Sequence, residues 1–129
     1  MKATQITSAL ISPTSFSVDQ LKRISNNNEE FIIKMLNLFV FQASQCSDMM
    51  QQAILTNDWA KLKAVSHKNI SSYSIMNLHE LVELLKFIES NAEKKREHWR
   101  VKEFVDSVCE KNADVIKIIG DYIYFIRKG

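Results

Sequence analysis

The chain has 129 residues, a formal net charge of +2 and a 46% hydrophobic share, the proportions of one ordinary domain able to bury a core of its own. So small a charge, with no basic stripe long enough to track a phosphate backbone, argues against nucleic acid. No apolar run approaches a membrane span and the N-terminal MKATQITSALISPTS is too polar for a secretory signal, so a cytoplasmic protein, or a cytoplasmic piece of something larger, is expected with no membrane partner.

With 2 Gly and 1 Pro against abundant Leu, Ile, Lys, Glu, Gln, Ala and Met, the composition favours helices over a hairpin-rich sheet. Residues 1–15 carry the only Pro and read as a flexible lead-in, leaving one helical domain over 16–129. A short first helix is expected over about 17–25, with Ser17 as N-cap and Gln20 as its capping-box partner. Asn26, Asn27 and Asn28 break it, and Asn27 with Glu30 repeats the capping spacing ahead of a long second helix to about residue 55. Its apolar stripe is wide: Phe31, Met35, Leu38, Gln45 and Met49 lie beside Ile32, Leu36, Phe39, Ala43, Met50 and Ile54, as for a helix with two neighbours.

Thr56-Asn57-Asp58 is the next break, before a third helix over about 58–75. Asn77 ends it and, with Glu80 three residues on, caps a fourth helix in which Leu78, Leu81, Val82, Leu85, Ile88 and Ala92 form the cleanest amphipathic pattern of the chain. The charged stretch EKKREHWR at 93–100 reads as a solvated connection, and a fifth helix follows over about 101–127 with Phe104, Val105, Val108, Cys109, Val115, Ile116, Ile119, Ile123 and Ile126 facing inward. Four substantial helices on short connections predict an all-α, antiparallel up-down-up-down four-helix bundle, the short first helix covering one end.

The third helix carries the chemistry. At about 100° per residue, Leu62, Tyr73, Ser66, Asn69, Met76, Val65 and Trp59 share a core-facing arc, and His67 lies about 140° from Leu62. His67 is therefore expected in solvent, among Ala60, Lys63, Ala64, Ser71 and Ser74. Small neighbours one and two turns away let another macromolecule approach the imidazole, and a neutral ring nitrogen is a nucleophile. Lys63, one turn back, and Lys68, next in sequence, are placed to hold a phosphoryl group's charge.

The stretch SHKNISSYSIMNLHELVELLKFIES resembles the signature of histidine phosphotransfer (HPt) domains, which reads His-x-Leu-Lys-Gly-Ser, then a Gly turn and a helix with Leu spacing ending in Leu-Glu. His67 matches the phosphorylated histidine, Lys68 a basic residue common after it, Ser72 the serine and Asn77 the Gly turn, where asparagine tolerates left-handed geometry. Leu81, Leu85 and Ile88-Glu89 match the helix that follows. The sequence departs at Ile70, which stands where the family has Lys, and at Ser71, where it has Gly. The resemblance covers about 17–95 and implies a phosphorelay intermediate with no kinase activity of its own. It would take a phosphoryl group on His67, through Nε2, from the aspartyl phosphate of a response-regulator receiver docked over the third and second helices, and pass it on. Mg²⁺ would belong to the receiver and the chain itself would need no cofactor; a hybrid sensor histidine kinase is a further implied partner. The alternative is an HPt-like helical interaction module without phosphotransfer, which Ile70 favours.

Other motifs carry less. Cys46 and Cys109 fall in apolar helical patterns and read as reduced core thiols. His79 and His98 have no metal-ligand spacing and read as structural or surface residues. Met35, Met49, Met50 and Met76 sit at core spacings, no glycine-rich phosphate loop occurs, and Lys94, Lys95, Arg96 and Arg100 make a small basic cluster.

Overall fold

The computed structural model describes residues 16–94 and 98–128, in five helices: α1 (Asp19–Ser25), α2 (Glu29–Leu55), α3 (Trp59–Ile75), α4 (His79–Asn91) and α5 (His98–Lys128). The lead-in expected at 1–15 lies outside the described residues, as do Lys95 and Arg96 of the charged connection. Among the described residues, no helix is long and apolar enough to cross a membrane.

Asparagine shapes the junctions. Every described non-glycine residue with positive φ is an Asn: Asn26, Asn27, Asn57 and Asn77, at φ 54 to 62°. Three helix ends use the same closure. The Asp58 N–H donates to the Ala53 carbonyl (2.8 Å) and Asn57 N–H to Ile54 (3.3 Å); Leu78 N–H donates to Tyr73 (3.0 Å) and Asn77 N–H to Ser74 (3.0 Å); Asn27 and Asn26 repeat it on Lys22 and Arg23. This is the Schellman arrangement, which satisfies the last carbonyls and needs a left-handed residue just past the helix. Asn accepts that conformation at small cost because its side chain bonds locally.

N-caps follow at once. Asp58 Oδ1 accepts from Lys61 N–H (3.0 Å), so one residue closes α2 and opens α3. Asn28, rather than the expected Asn27, caps α2 by accepting from Phe31 N–H (3.0 Å), because Asn27 is spent on the left-handed turn. At α1 the Ser17 hydroxyl accepts from Asp19 N–H, but Val18 occupies the cap position. Leu78, not Asn77, is the cap residue of α4, and its apolar side chain is buried instead.

The four long helices close a ring: α2 packs on α3, α3 on α4, α4 on α5 and α5 on α2. This is the antiparallel bundle the hydrophobic periods predict. Leu36, Phe39, Ala43, Leu62, Tyr73, Leu85, Ile88, Val101, Val108 and Ile119 are essentially inaccessible at its centre. Short α1 packs on α2, and the Ser17 N–H bonds to the Met76 carbonyl at the end of α3.

Two readings of faces need correction. On α2, only the row Ile32, Leu36, Phe39, Ala43, Cys46, Met50 and Ala53 is buried; Phe31, Leu38 and Met49 remain 36%, 45% and 38% exposed. The stripe is wider than α3 and α5 can cover, so Met49 is not core filling. On α5, Cys109, Phe104, Ile116, Ile123 and Ile126 are half-buried, and the inner row includes a polar residue, Asn112. The helix also starts earlier than expected, at His98. There the His98 ring stacks on Trp59, centroids 3.7 Å apart, and its Nε2 lies 3.0 Å from the Ala92 carbonyl. That contact ties the starts of α3 and α5 to the end of α4.

Candidate functional site

Buried polar groups must be paired, and α3 meets this condition with its own backbone. Ser66, on the core arc, donates to the Leu62 carbonyl (2.9 Å), and Asn69 donates through Nδ2 to Val65 (2.8 Å). Tyr73 donates to Asn112 Oδ1 (2.7 Å), and Asn112 Nδ2 donates to Ser47 Oγ (2.8 Å) and the Ala43 carbonyl (3.2 Å). This three-helix network pins the face of α3 that points inward, and thereby the face that points out. Burial pushes the Cys46 thiol beside it up to about 11 and the Tyr73 phenol well above its ordinary range.

His67 is on the outer face, its side chain 75% exposed. Its Nδ1 lies 2.7 Å from Oε2 of Glu89 on α4, a side chain only 27% exposed. A carboxylate accepts and cannot donate, so Nδ1 carries a proton, and in the neutral ring the free lone pair is then on Nε2. Four residues back on α3 and four beyond Glu89, just past the end of α4, Lys63 Nζ lies 3.3 Å from Glu93 Oε1. Both pairs share one register, set by the short Asn77–Leu78 turn.

The remaining candidates surround the ring. Ala64, Ser71 and Ser74 are exposed, as the helical wheel requires. Lys68 is exposed on the α2 side and makes no ion pair or side-chain hydrogen bond among the described residues. Ile70 is half-buried and packs against the core, which an ammonium could not do without leaving its place. Glu89 is the residue that the reading of the sequence placed only as the end of a helix motif. Folding α3 back on α4 about Asn77 puts it opposite His67, so the antiparallel register was the signal available.

Beyond Lys68, α2 and α3 leave a trough. Its upper part is lined by Ile24, Phe31, Leu38 and Ile75, its lower part by Leu38, Phe41, Gln45, Met49 and Lys68, with Gln42 and Ser72 shared by both. The Ser72 hydroxyl reaches Gln42 Oε1 (3.4 Å) across it. The apolar edge of α2 thus faces solvent beside α3.

His79 is exposed. Of the basic cluster, Lys94 and Arg100 are described and exposed, the Arg100 guanidinium lying 5.4 Å from the Phe87 ring centroid. Among the described residues no group of three His, Cys, Asp or Glu side chains could hold a metal ion.

An antiparallel helical bundle presenting one outward histidine from a central helix is the architecture these observations define. A solved structure with a similar fold is histidine-containing phosphotransfer protein B (HptB) from Pseudomonas aeruginosa PAO1, which superposes with a TM-score of 0.76 over 88% of this chain and 97% of its own, at 17% sequence identity. The chain has the fold of a histidine-containing phosphotransfer protein. No family model and no curated protein sequence matches it.

Proposed function

We propose that the chain is a phosphorelay intermediate that accepts a phosphoryl group on His67 from a receiver-domain aspartate and passes it to another. The observation that carries this reading is the His67–Glu89 pair: an exposed imidazole whose Nδ1 proton is held at 2.7 Å, leaving Nε2 aimed at solvent. The fold it shares with HptB supports the same reading.

In the step itself, the Nε2 lone pair forms a bond to phosphorus as the P–O bond of the aspartyl phosphate breaks. The electron pair of that bond leaves on the aspartate carboxylate. The Nδ1 proton stays on the ring, which becomes cationic, and Glu89 faces the new charge. No proton is moved, so the chain needs no general base, and its contribution is a positioned nucleophile. Mg²⁺ would remain with the receiver. The trough between α2 and α3 would seat the receiver, its apolar edge against Phe31, Leu38 and Phe41.

The test is acid-labile, base-stable labelling from a phosphorylated receiver, mapped to a residue. His67→Gln should abolish the label with helicity and melting temperature nearly unchanged, since an exposed side chain contributes little to stability. His79→Gln and His98→Gln should still be labelled. A second reading, an interaction module without phosphotransfer, is favoured by Ile70, which puts an apolar, core-packed side chain at the position of the expected cation. It predicts receiver binding in the trough with no label at all.

A further inference from the structure

A phosphoryl group on His67 brings up to about two negative charges, which some cation should face. Ile70 cannot provide it, being half-buried against the core. The α4 side of the ring carries Glu89 and Glu93, which repel the phosphoryl group, and Lys63 on that side is already 3.3 Å from Glu93. The α2 side is different. Among the described residues no acidic side chain lines the trough, and its polar groups there are the neutral Gln42, Gln45, Asn69 and Ser72, with Lys68 the only cation among them. Lys68 is exposed, adjoins His67 in sequence, and has no ion-pair partner among the described residues to give up. Its flexible four-carbon stem spans about 6 Å, enough to swing the ammonium toward the outer edge of the neighbouring ring.

We propose that Lys68 holds the phosphoryl charge while the group is transferred to and from His67, in the place that Ile70 leaves without a cation. The assignment rests on the phosphocarrier reading. The acidic α4 side repels the phosphoryl oxygens and the acid-free α2 side attracts them, so the group leans toward the trough. Lys68 takes no part in the bond changes; its ammonium donates hydrogen bonds to the phosphoryl oxygens.

Phosphoramidate, which needs no docking surface and loses ammonia on transfer, isolates this role. The rate of His67 labelling should fall about two- to fivefold in Lys68→Gln, the range of an exposed charge contact. Lys68→Arg should retain most of the rate. Lys63→Gln should cost less than Lys68→Gln. Raising salt from low to about 1 M should shrink the gap between wild type and Lys68→Gln, because screening removes the contact. Ile70→Lys added to Lys68→Gln should restore labelling by returning a cation to the other position. Equal rates for Lys68→Gln and wild type, or a larger loss in Lys63→Gln, would overturn the assignment. A salt-independent loss would also overturn it, by making Lys68 a structural residue. If wild type takes no label on His67 from phosphoramidate or a phospho-receiver, the phosphocarrier reading itself fails, and the role of Lys68 with it.

Discussion

Removing the Glu89 carboxylate should separate two contributions that the structure combines in one contact. Glu89→Gln keeps an acceptor at the 2.7 Å position but removes the charge; Glu89→Ala removes both. A hydrogen bond to a charged group contributes about 1.5–3 kcal/mol when sheltered. Here the carboxylate is 27% exposed but the imidazole 75%, so solvent screening brings the charge contribution down to about 1 kcal/mol, near the upper end for exposed pairs. The ring becomes cationic only as phosphorus bonds to Nε2, so this energy acts on the transition state more than on the free protein. Glu89→Gln should therefore slow phosphoramidate labelling about fivefold with the tautomer preserved. Glu89→Ala should slow it further, because part of the population will carry its proton on Nε2 and cannot attack. Nitrogen-15 chemical shifts of the ring report the tautomer directly, and quenched labelling reports the rate. Wild-type rates in Glu89→Ala, with one unchanged tautomer, would refute the reasoning.

Three other outcomes are expected. Ser71→Trp should block transfer from a phospho-receiver by orders of magnitude, since misplacing reacting groups by about 1 Å can cost about a hundredfold, yet leave phosphoramidate labelling near normal; surviving receiver transfer would move the docking face elsewhere. Asn112→Ala should destabilise the fold by about 1–3 kcal/mol in denaturant titration, because it takes from the buried Tyr73 hydroxyl its acceptor and from the Ser47 hydroxyl oxygen its donor. Stability should fall as pH rises from 9.0 toward about 11, since the unfolded chain releases the Cys46 proton first while burial holds it in the fold; Cys46 contributes at most about 2–3 kcal/mol of that loss, the raised Cys109 and Tyr73 adding their own, and Cys46→Ala should make that part of the curve shallower.

Much of the bundle was legible because hydrophobic period and Asn-rich breaks agree. Leu81, Leu85 and Ile88 announce one face of α4, and Asn57 and Asn77 mark turns that do take left-handed geometry. The outward placement of His67 followed from the same arithmetic, since a residue about 140° from Leu62 has nowhere else to go. What failed to show was anything that depends on how much surface neighbours cover. Met49 and Leu38 have the spacing of core residues, and only the actual width of the contact with α3 leaves them in solvent. Asn112 interrupts an apolar pattern, and a polar residue in an inner row looks like an error until Tyr73 and Ser47 are seen around it.

Glu89 belongs to a third kind, a residue whose role is set by register. Nothing about a glutamate near the end of an amphipathic helix distinguishes it from Glu80 or Glu83. Its meeting with His67 depends on where α3 stops, and that is decided by Asn77, whose left-handed φ of 61° lets Leu78 turn directly into α4. A turn one residue longer would rotate α4 by about 100° relative to α3 and carry the carboxylate off the ring, while the apolar faces of both helices would have to be rewritten to match. The buried side chains Leu78, Leu81 and Leu85 resist that rotation. The chemistry at the surface is therefore held by the same packing that stabilises the core: the turn sets the register, the apolar row of α4 locks it, and the proton on Nδ1 of His67 is a consequence of both.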